Sequence, residues 1–310
     1  MKKILILALA FFLASCGNNE VIENVNDDEL TINAYVGNKP TTRVSEKDDW
    51  QENDILGVFV CNGTIDQPYL GNTERYVNVA FRHNGKGFVA GNIYLDENLA
   101  EIFAYFPYSA VSTIGSAVPV ESSTQTDYLF GHAETPASIS QKNVNIEMKH
   151  ALSQVVFRIR KSPKYDEGPG ALSMLKIENN DAQNLFKTTG SLNVSSGVIT
   201  GTSNMGVLTL MPGNTLLLTT EYQTISSICL PVGPTTGKNI KAVFNIDERQ
   251  FRFEFPSSTT WNAGFRNIYT LTVENSGLII GGGEDGADDG ITIEPWGDGA
   301  NSDISLVPIL

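Results

Sequence analysis

From residue 30 onward the apolar residues fall in short runs, many with period two, separated by Gly, Asn, Asp and Pro. Leu30-Thr31-Ile32-Asn33-Ala34-Tyr35-Val36 is one such run. In Phe251-Arg252-Phe253-Glu254-Phe255 the rings face one way and the charges the other, the signature of a half-buried strand. Further strands are predicted at Ile55–Val60, Tyr76–Phe81, Val155–Ile159, Val207–Leu210, Val243–Ile246 and Tyr269–Val273. No amphipathic stretch of about 12 residues or more has helical spacing. Many short strands with turn signals every ~8–15 residues predict an all-β chain of sandwiches rather than a parallel sheet.

Lys161-Ser162-Pro163-Lys164-Tyr165-Asp166-Glu167-Gly168-Pro169-Gly170 follows a predicted strand with Pro, Gly and mixed charge, which is linker chemistry. It divides the body into 30–162 and 170–310. A second soft spot, Gly281-Gly282-Gly283-Glu284-Asp285-Gly286-Ala287-Asp288-Asp289-Gly290, precedes the short strand Ile291-Thr292-Ile293 and Pro295-Trp296. The extreme C-terminus, Ile304-Ser305-Leu306-Val307-Pro308-Ile309-Leu310, is apolar where chains are usually polar, so it calls for a partner.

The N-terminus sets the compartment. Met1-Lys2-Lys3 is a positive n-region, and Ile4–Ala14 is an apolar run too short to span a bilayer. Leu13-Ala14-Ser15-Cys16 has the shape of a bacterial lipoprotein signal, so residues 1–15 are expected to be removed and the Cys16 thiol acylated. Acyl chains at ~0.8 kcal/mol per buried CH₂ would hold the body to a membrane. Residues 16–29 then read as a polar, acidic tether.

Of 310 residues, 35 are Asp or Glu and 21 Lys or Arg, a net charge of −14; without Lys2 and Lys3 it is 19 − 35 = −16. No basic stripe exists for nucleic acid or anionic lipid. Cys61 and Cys229 lie in different halves and are expected as separate buried thiols rather than a bridge. No Cys/His spacing suggests a metal, and no cofactor is expected.

Hydrolytic chemistry finds little support. His83, His132 and His150 are accompanied by no Gly-x-Ser-x-Gly elbow, and His150 reads as a structural residue. The acids select no carboxylate pair for glycoside cleavage. Glu284, Asp285, Asp288 and Asp289 lack the order of an EF-hand loop, so a solvated turn is favoured over Ca²⁺ binding. Trp50, Trp261, Trp296 and Phe103-Ala104-Tyr105-Phe106-Pro107-Tyr108 could stack on sugars, with core packing the plainer reading. An enzyme is not expected.

Ordered motifs run over almost the whole chain. They begin with Cys16, Thr42-Arg43-Val44 and Trp50-x₃-Asp54-x₂-Gly57-Val58-Phe59. Phe103-Ala104-Tyr105-Phe106-Pro107-Tyr108, Asp127-Tyr128-Leu129-Phe130 and Met148-Lys149-His150-Ala151-Leu152-Ser153-Gln154-Val155-Val156-Phe157 follow. Trp261-Asn262-Ala263-Gly264-x₃-Ile268-Tyr269-Thr270-Leu271 and Ile291-x₃-Pro295-Trp296 complete the series. In these the chain resembles the fimbrillins of Bacteroidetes.

The resemblance implies two tandem transthyretin-like β-sandwich domains and a subunit or anchor of an outer-membrane surface fimbria supporting adhesion. It implies an arginine-specific protease cutting between Arg43 and Val44, loss of Leu30–Val36, and filling of the gap by another subunit's C-terminal strand. The donor residues would be Ile304, Leu306, Ile309 and Leu310, and the partners other fimbrial subunits. The tail after Trp296 could instead complete its own domain. Stalk, tip and anchor roles stay open, and a surface lipoprotein that binds glycans is the alternative.

Overall fold

The computed structural model describes residues 29–37, 50–180, 183–202, 206–210, 215–281 and 290–296, with the backbone of 304–305. Among these the only α-helix is the single turn α1 (Thr73–Tyr76), and the body is all-β. The first strands are β1 (Thr31–Val36), β2 (Ile55–Cys61), β3 (Val79–His83), β4 (Phe88–Val89), β5 (Glu101–Phe106), β6 (Val118–Glu121), β7 (Leu129–His132) and β8 (Asn143–His150). All but β6 form a closed barrel in the order β1-β4-β3-β2-β5-β7-β8. The expected first sandwich is thus closed on itself. The reason is β1, which has hydrogen-bonded neighbours on both sides and leaves no free edge.

β2 and β5 are apolar on both faces, which accounts for their unbroken runs. Leu56, Val58, Ile102 and Ala104 point into the barrel. Phe59, Cys61, Phe103 and Tyr105 point outward into a second cluster with Val118, Val120, Leu192 and Val194. Gly57 makes room for that outer layer. A Cβ there would come within 2.0 Å of the Tyr105 ring, which lies across the strand.

The remaining strands are β9 (Ser153–Lys161), β10 (Ala171–Asn179), β11 (Thr189–Leu192), β12 (Ile199–Gly201), β13 (Val207–Leu210), β14 (Leu216–Leu217) and β15 (Gln223–Cys229). They continue with β16 (Ile240–Ile246), β17 (Arg249–Glu254), β18 (Phe265–Glu274), β19 (Gly277–Ile280), β20 (Ile291–Pro295) and β21 (Ile304–Ser305). Two sheets, β13-β10-β16-β17 and β19-β18-β9-β15-β21, share one core, so this part is a β-sandwich. Phe157, Phe244, Phe255, Trp261 and Tyr269 lie at its centre in edge-to-face contacts. Phe251, Phe253 and Phe255 face inward as their alternation predicts, and Arg252 is exposed.

The division at 161–170 does not match the hydrogen bonding. β9 precedes that segment, yet it pairs with β15 and β18 in the middle of the second sheet. The chain therefore passes from barrel to sandwich at Ala151-Leu152, where neither Pro nor Gly marks the passage. A small third sheet, β12-β11-β6, also crosses the boundary by pairing Leu192 with Val118 and Thr189 with Glu121.

Segment 161–170 is pinned rather than free. Asp247 accepts hydrogen bonds of 2.8 Å from the Tyr165 hydroxyl and from the backbone N–H groups of Gly170 and Ala171. Burial opposes the charge, but the Ala171, Tyr165 and Gly170 donors and nearby Lys161 outweigh it and hold the carboxyl below its ordinary range. Stability from such a group is complete above the unfolded-state pKa and is lost as pH falls through the folded-state value. Asp247→Asn should therefore flatten the pH dependence of urea unfolding below about pH 4, its loss of stability against the parent being largest and constant above that pH and shrinking as pH falls.

Cys61 and Cys229 are both free and buried, as separate thiols. Burial pushes each thiol up to about 12, so neither forms thiolate at neutral pH. The native protein is expected to resist an aromatic disulfide reagent, with both thiols reacting only after denaturation. Rapid labelling of the folded chain would contradict this.

Candidate functional site

β1 occupies the seam of the barrel. It runs parallel to β8 over its whole length, from Thr31 opposite Asn143 to Val36 opposite Met148, and antiparallel to β4 at Thr31–Val89 and Ile32–Phe88. Its neighbours come from more than fifty and more than a hundred positions away, so no short turn holds it in place. Leu30 and Ile32 are fully buried, with Ala34 and Val36 packed against the same core. At ~1.5–3 kcal/mol per buried aliphatic side chain, Leu30 and Ile32 together contribute roughly 3–6 kcal/mol before ordering costs.

The outer face of the seam is polar. The Tyr35 hydroxyl donates to Glu134 Oε1 at 2.7 Å, a bond that raises the pKa of the exposed phenol. Asn33 Nδ2 donates to Asn145 Oδ1 at 3.3 Å. At the far end of the strand, Trp50 Nε1 donates to the Ala34 carbonyl at 2.8 Å, and its ring meets Phe88 and Phe106 edge-on at 4.9 and 5.3 Å. Without β1, the backbone edges of β4 and β8 would lose their partners, and Phe88, Val144, Ile146 and Met148 would lose their cover.

A second edge lies in the sandwich. β15 pairs with β9 on one side, and on the other Ile304 and Ser305 run parallel to it opposite Ile225 and Ser226. The start of the C-terminal tail thus lies along its own molecule's sheet. Leu306, Ile309 and Leu310 fall outside the described residues, as do Cys16, Arg43, Val44 and the acidic residues Glu284, Asp285, Asp288 and Asp289.

A family model for fimbrillin-like proteins matches residues 42–296. The chain belongs to the fimbrillin-like family.

Among solved structures, a candidate cell adhesion protein from Bacteroides uniformis superposes with a TM-score of 0.61 at 19% identity, covering 87% of this chain and 100% of that one. A candidate cell adhesion protein from Bacteroides ovatus gives 0.58 at 17% identity, covering 86% and 96%. A fimbrial protein from Bacteroides vulgatus gives 0.50 at 12% identity, covering 86% and 99%. At such identities the likeness is one of fold. No curated protein matches the chain.

In this fimbrillin-like chain the sequence-marked aromatic residues are mostly in cores. Trp261 and Tyr105 are fully buried, Phe103 nearly so, and Trp50 packs under β1. Trp296 stacks on His150 with ring centroids 4.4 Å apart and planes 8° from parallel. His150 Nδ1 also lies 2.9 Å from Asp127 Oδ2, so this His joins Asp127 near β7 to the end of β20. His132 stacks on Phe103 and pairs with Glu101 at 2.7 Å. Among the described residues no group of His, Cys, Asp and Glu is arranged to hold a metal ion.

An open cleft of about 270 Å³ is lined by Gln183, Asn184, Leu185, Pro234, Thr236 and Asn239. Asn239 Nδ2 donates to Gln183 Oε1 at 2.7 Å, so part of its amide capacity is already used. The lining offers no ring on which a sugar could stack.

The fimbrillin-like motifs mark β1's surroundings unevenly. Trp50 and the stretch from Met148 stand out in the sequence, whereas β4 and most of β8 carry no motif. Their importance comes from touching β1, and that contact joins segments more than a hundred positions apart.

Proposed function

We propose that the chain is a subunit or anchor of a cell-surface fimbria, seated or polymerised by exchange of a strand at the β1 position and serving adhesion. Membership of the fimbrillin-like family supports the fimbrial role and association with other fimbrial subunits. The observation that carries the strand-exchange reading is the seam itself. β1 has a neighbour on each side, is followed by a segment containing Arg43, and covers an apolar floor.

In this scheme Cys16 carries the lipid that brings the precursor to the outer membrane, and an arginine-specific protease cuts between Arg43 and Val44. The released groove has unpaired N–H and C=O groups and an apolar cleft, which is a template for strand addition. Ile304, Leu306, Ile309 and Leu310 of a second subunit supply the strand. Burying them would contribute roughly 6–12 kcal/mol gross, before the ordering and association costs. Pro308, having no N–H, suits the outer side of that strand. The contact is head-to-tail and does not close, so it propagates a filament.

The test is the N-terminal identity, by mass spectrometry, of the protein taken from the cell surface. Multimers whose chains begin at Val44 are expected, and they should be absent in an Ile304→Asp, Leu306→Asp double variant. Surface chains that all retain an acylated Cys16 would assign the protein to the anchor role. Normal assembly of the double variant would refute the donor assignment.

A further inference from the structure

Strand direction decides which loops share a pole of the barrel. β1 and β8 run the same way, β4 and β7 run against them, β5 runs against β7, and β2 against β5. The start of β1, the loops before β5 and β8, and the segment after β2 therefore gather at one pole. Hydrogen bonds tie them together. The Thr31 N–H donates to the Lys142 carbonyl and the Ile139 N–H to the Asp96 carbonyl, both at 2.8 Å. The Tyr69 hydroxyl donates to the Asn98 carbonyl at 2.9 Å, and the Tyr76 hydroxyl to the Tyr94 carbonyl at 2.6 Å.

This connected surface displays Leu70, Tyr94, Leu99 and Ile139, which are 56%, 61%, 63% and 52% exposed. A single exposed aliphatic residue needs no explanation, but four large apolar residues on loops bonded to one another at one pole make that pole a candidate contact surface. The same pole receives the chain that precedes the described residues, since residues 1–28 lead into Glu29 and the buried Leu30. Residues 17–29 span at most about 45 Å even when fully extended.

We propose that in the intact, lipidated chain this pole rests on the membrane surface, with Leu70, Tyr94, Leu99 and Ile139 in the interfacial layer. The inference rests on the lipoprotein reading of Cys16. Aliphatic tips beside an aromatic ring with a polar end suit that layer. The Arg75 guanidinium lies 4.9 Å from the Tyr94 ring centroid, but the same segments also carry Glu74, Asp96 and Glu97. Their charge fits zwitterionic headgroups rather than anionic ones. Gly37 and Trp50, which bound the segment carrying Arg43, lie at the opposite pole, where β1 ends and β2 begins. The bound orientation thus turns Gly37 and Trp50, the described residues on either side of that segment, away from the membrane.

The test uses the full protein as isolated from the membranes of the producing cells, placed in phosphatidylcholine vesicles containing a spin-labelled quencher lipid. Leu99→Cys and Ile139→Cys probe the pole, and Ile293→Cys, at an exposed apolar site on β20, is the control. Each is labelled with a polarity-sensitive fluorophore, the native Cys61 and Cys229 being buried. Burial of the patch some 5–10 Å into the headgroup boundary predicts quenching and a blue shift at 99 and 139, with neither at 293. Mass spectrometry of the Cys16 peptide is run on the same sample. Acylated Cys16 with unquenched probes at 99 and 139 overturns the docking proposal while the lipid anchor stands. Unmodified Cys16 overturns the anchor reading and the docking proposal with it.

Discussion

Ile32→Asp is expected to destabilise the intact chain by about 3 kcal/mol or more and to make its barrel accept a strand from solution. Ile32 is fully buried, opposite Val144 on β8 and Phe88 on β4, so a carboxylate there has neither water nor a counter-charge. The least costly relief is for β1 to leave, because its backbone bonds are made to distant segments and its release need not disturb the other strands. Urea unfolding should show the loss. Fluorescence anisotropy should then detect binding of a labelled peptide of residues 301–310 to the variant and not to the parent. Asn33→Asp lies on the exposed face of the same strand and should change stability by no more than about 0.5 kcal/mol. A destabilised Ile32→Asp chain that still binds no peptide would separate β1 release from strand acceptance and count against the exchange scheme.

Trp261→Ala should cost about 3–5 kcal/mol, the largest loss expected from a single truncation in the sandwich. The indole is completely buried, its Nε1 donates to the Tyr269 hydroxyl at 2.9 Å, and it meets Phe255 and Phe186 edge-on at 5.1 and 6.0 Å. Its backbone also bridges to Val232, with N–H to carbonyl bonds of 2.9 and 3.0 Å in the two directions. Truncation leaves a large cavity bounded by stiff rings, which collapse poorly. Tyr269→Phe removes only the hydroxyl acceptor and strands the indole N–H, at a cost of about 1–3 kcal/mol. Calorimetric unfolding of both variants orders them. A Trp261→Ala chain that melts with the parent would mean the sandwich repacks around the vacancy.

Much of this protein was legible from its residues because alternation is a local property. A strand with one wet face must place its apolar residues every second position, so Leu30–Val36 and Phe251–Phe255 declared both their conformation and their buried face. The same alternation pointed to an all-β chain, and the motif series to a resemblance to the fimbrillins. Pairing is not local, and there the sequence was silent or misleading. The Pro- and Gly-rich segment 161–170 looked like a linker, but Asp247, far along the chain, fastens it to the sandwich. β9 reads the same whether it closes the barrel or centres the next sheet, and only its bonds to β15 and β18 decide. The alternation of β1 showed that it has a buried face. That it lies between β4 and β8, closing a barrel that would otherwise stand open, was decided by the tertiary structure, because backbone hydrogen bonds carry no side-chain label.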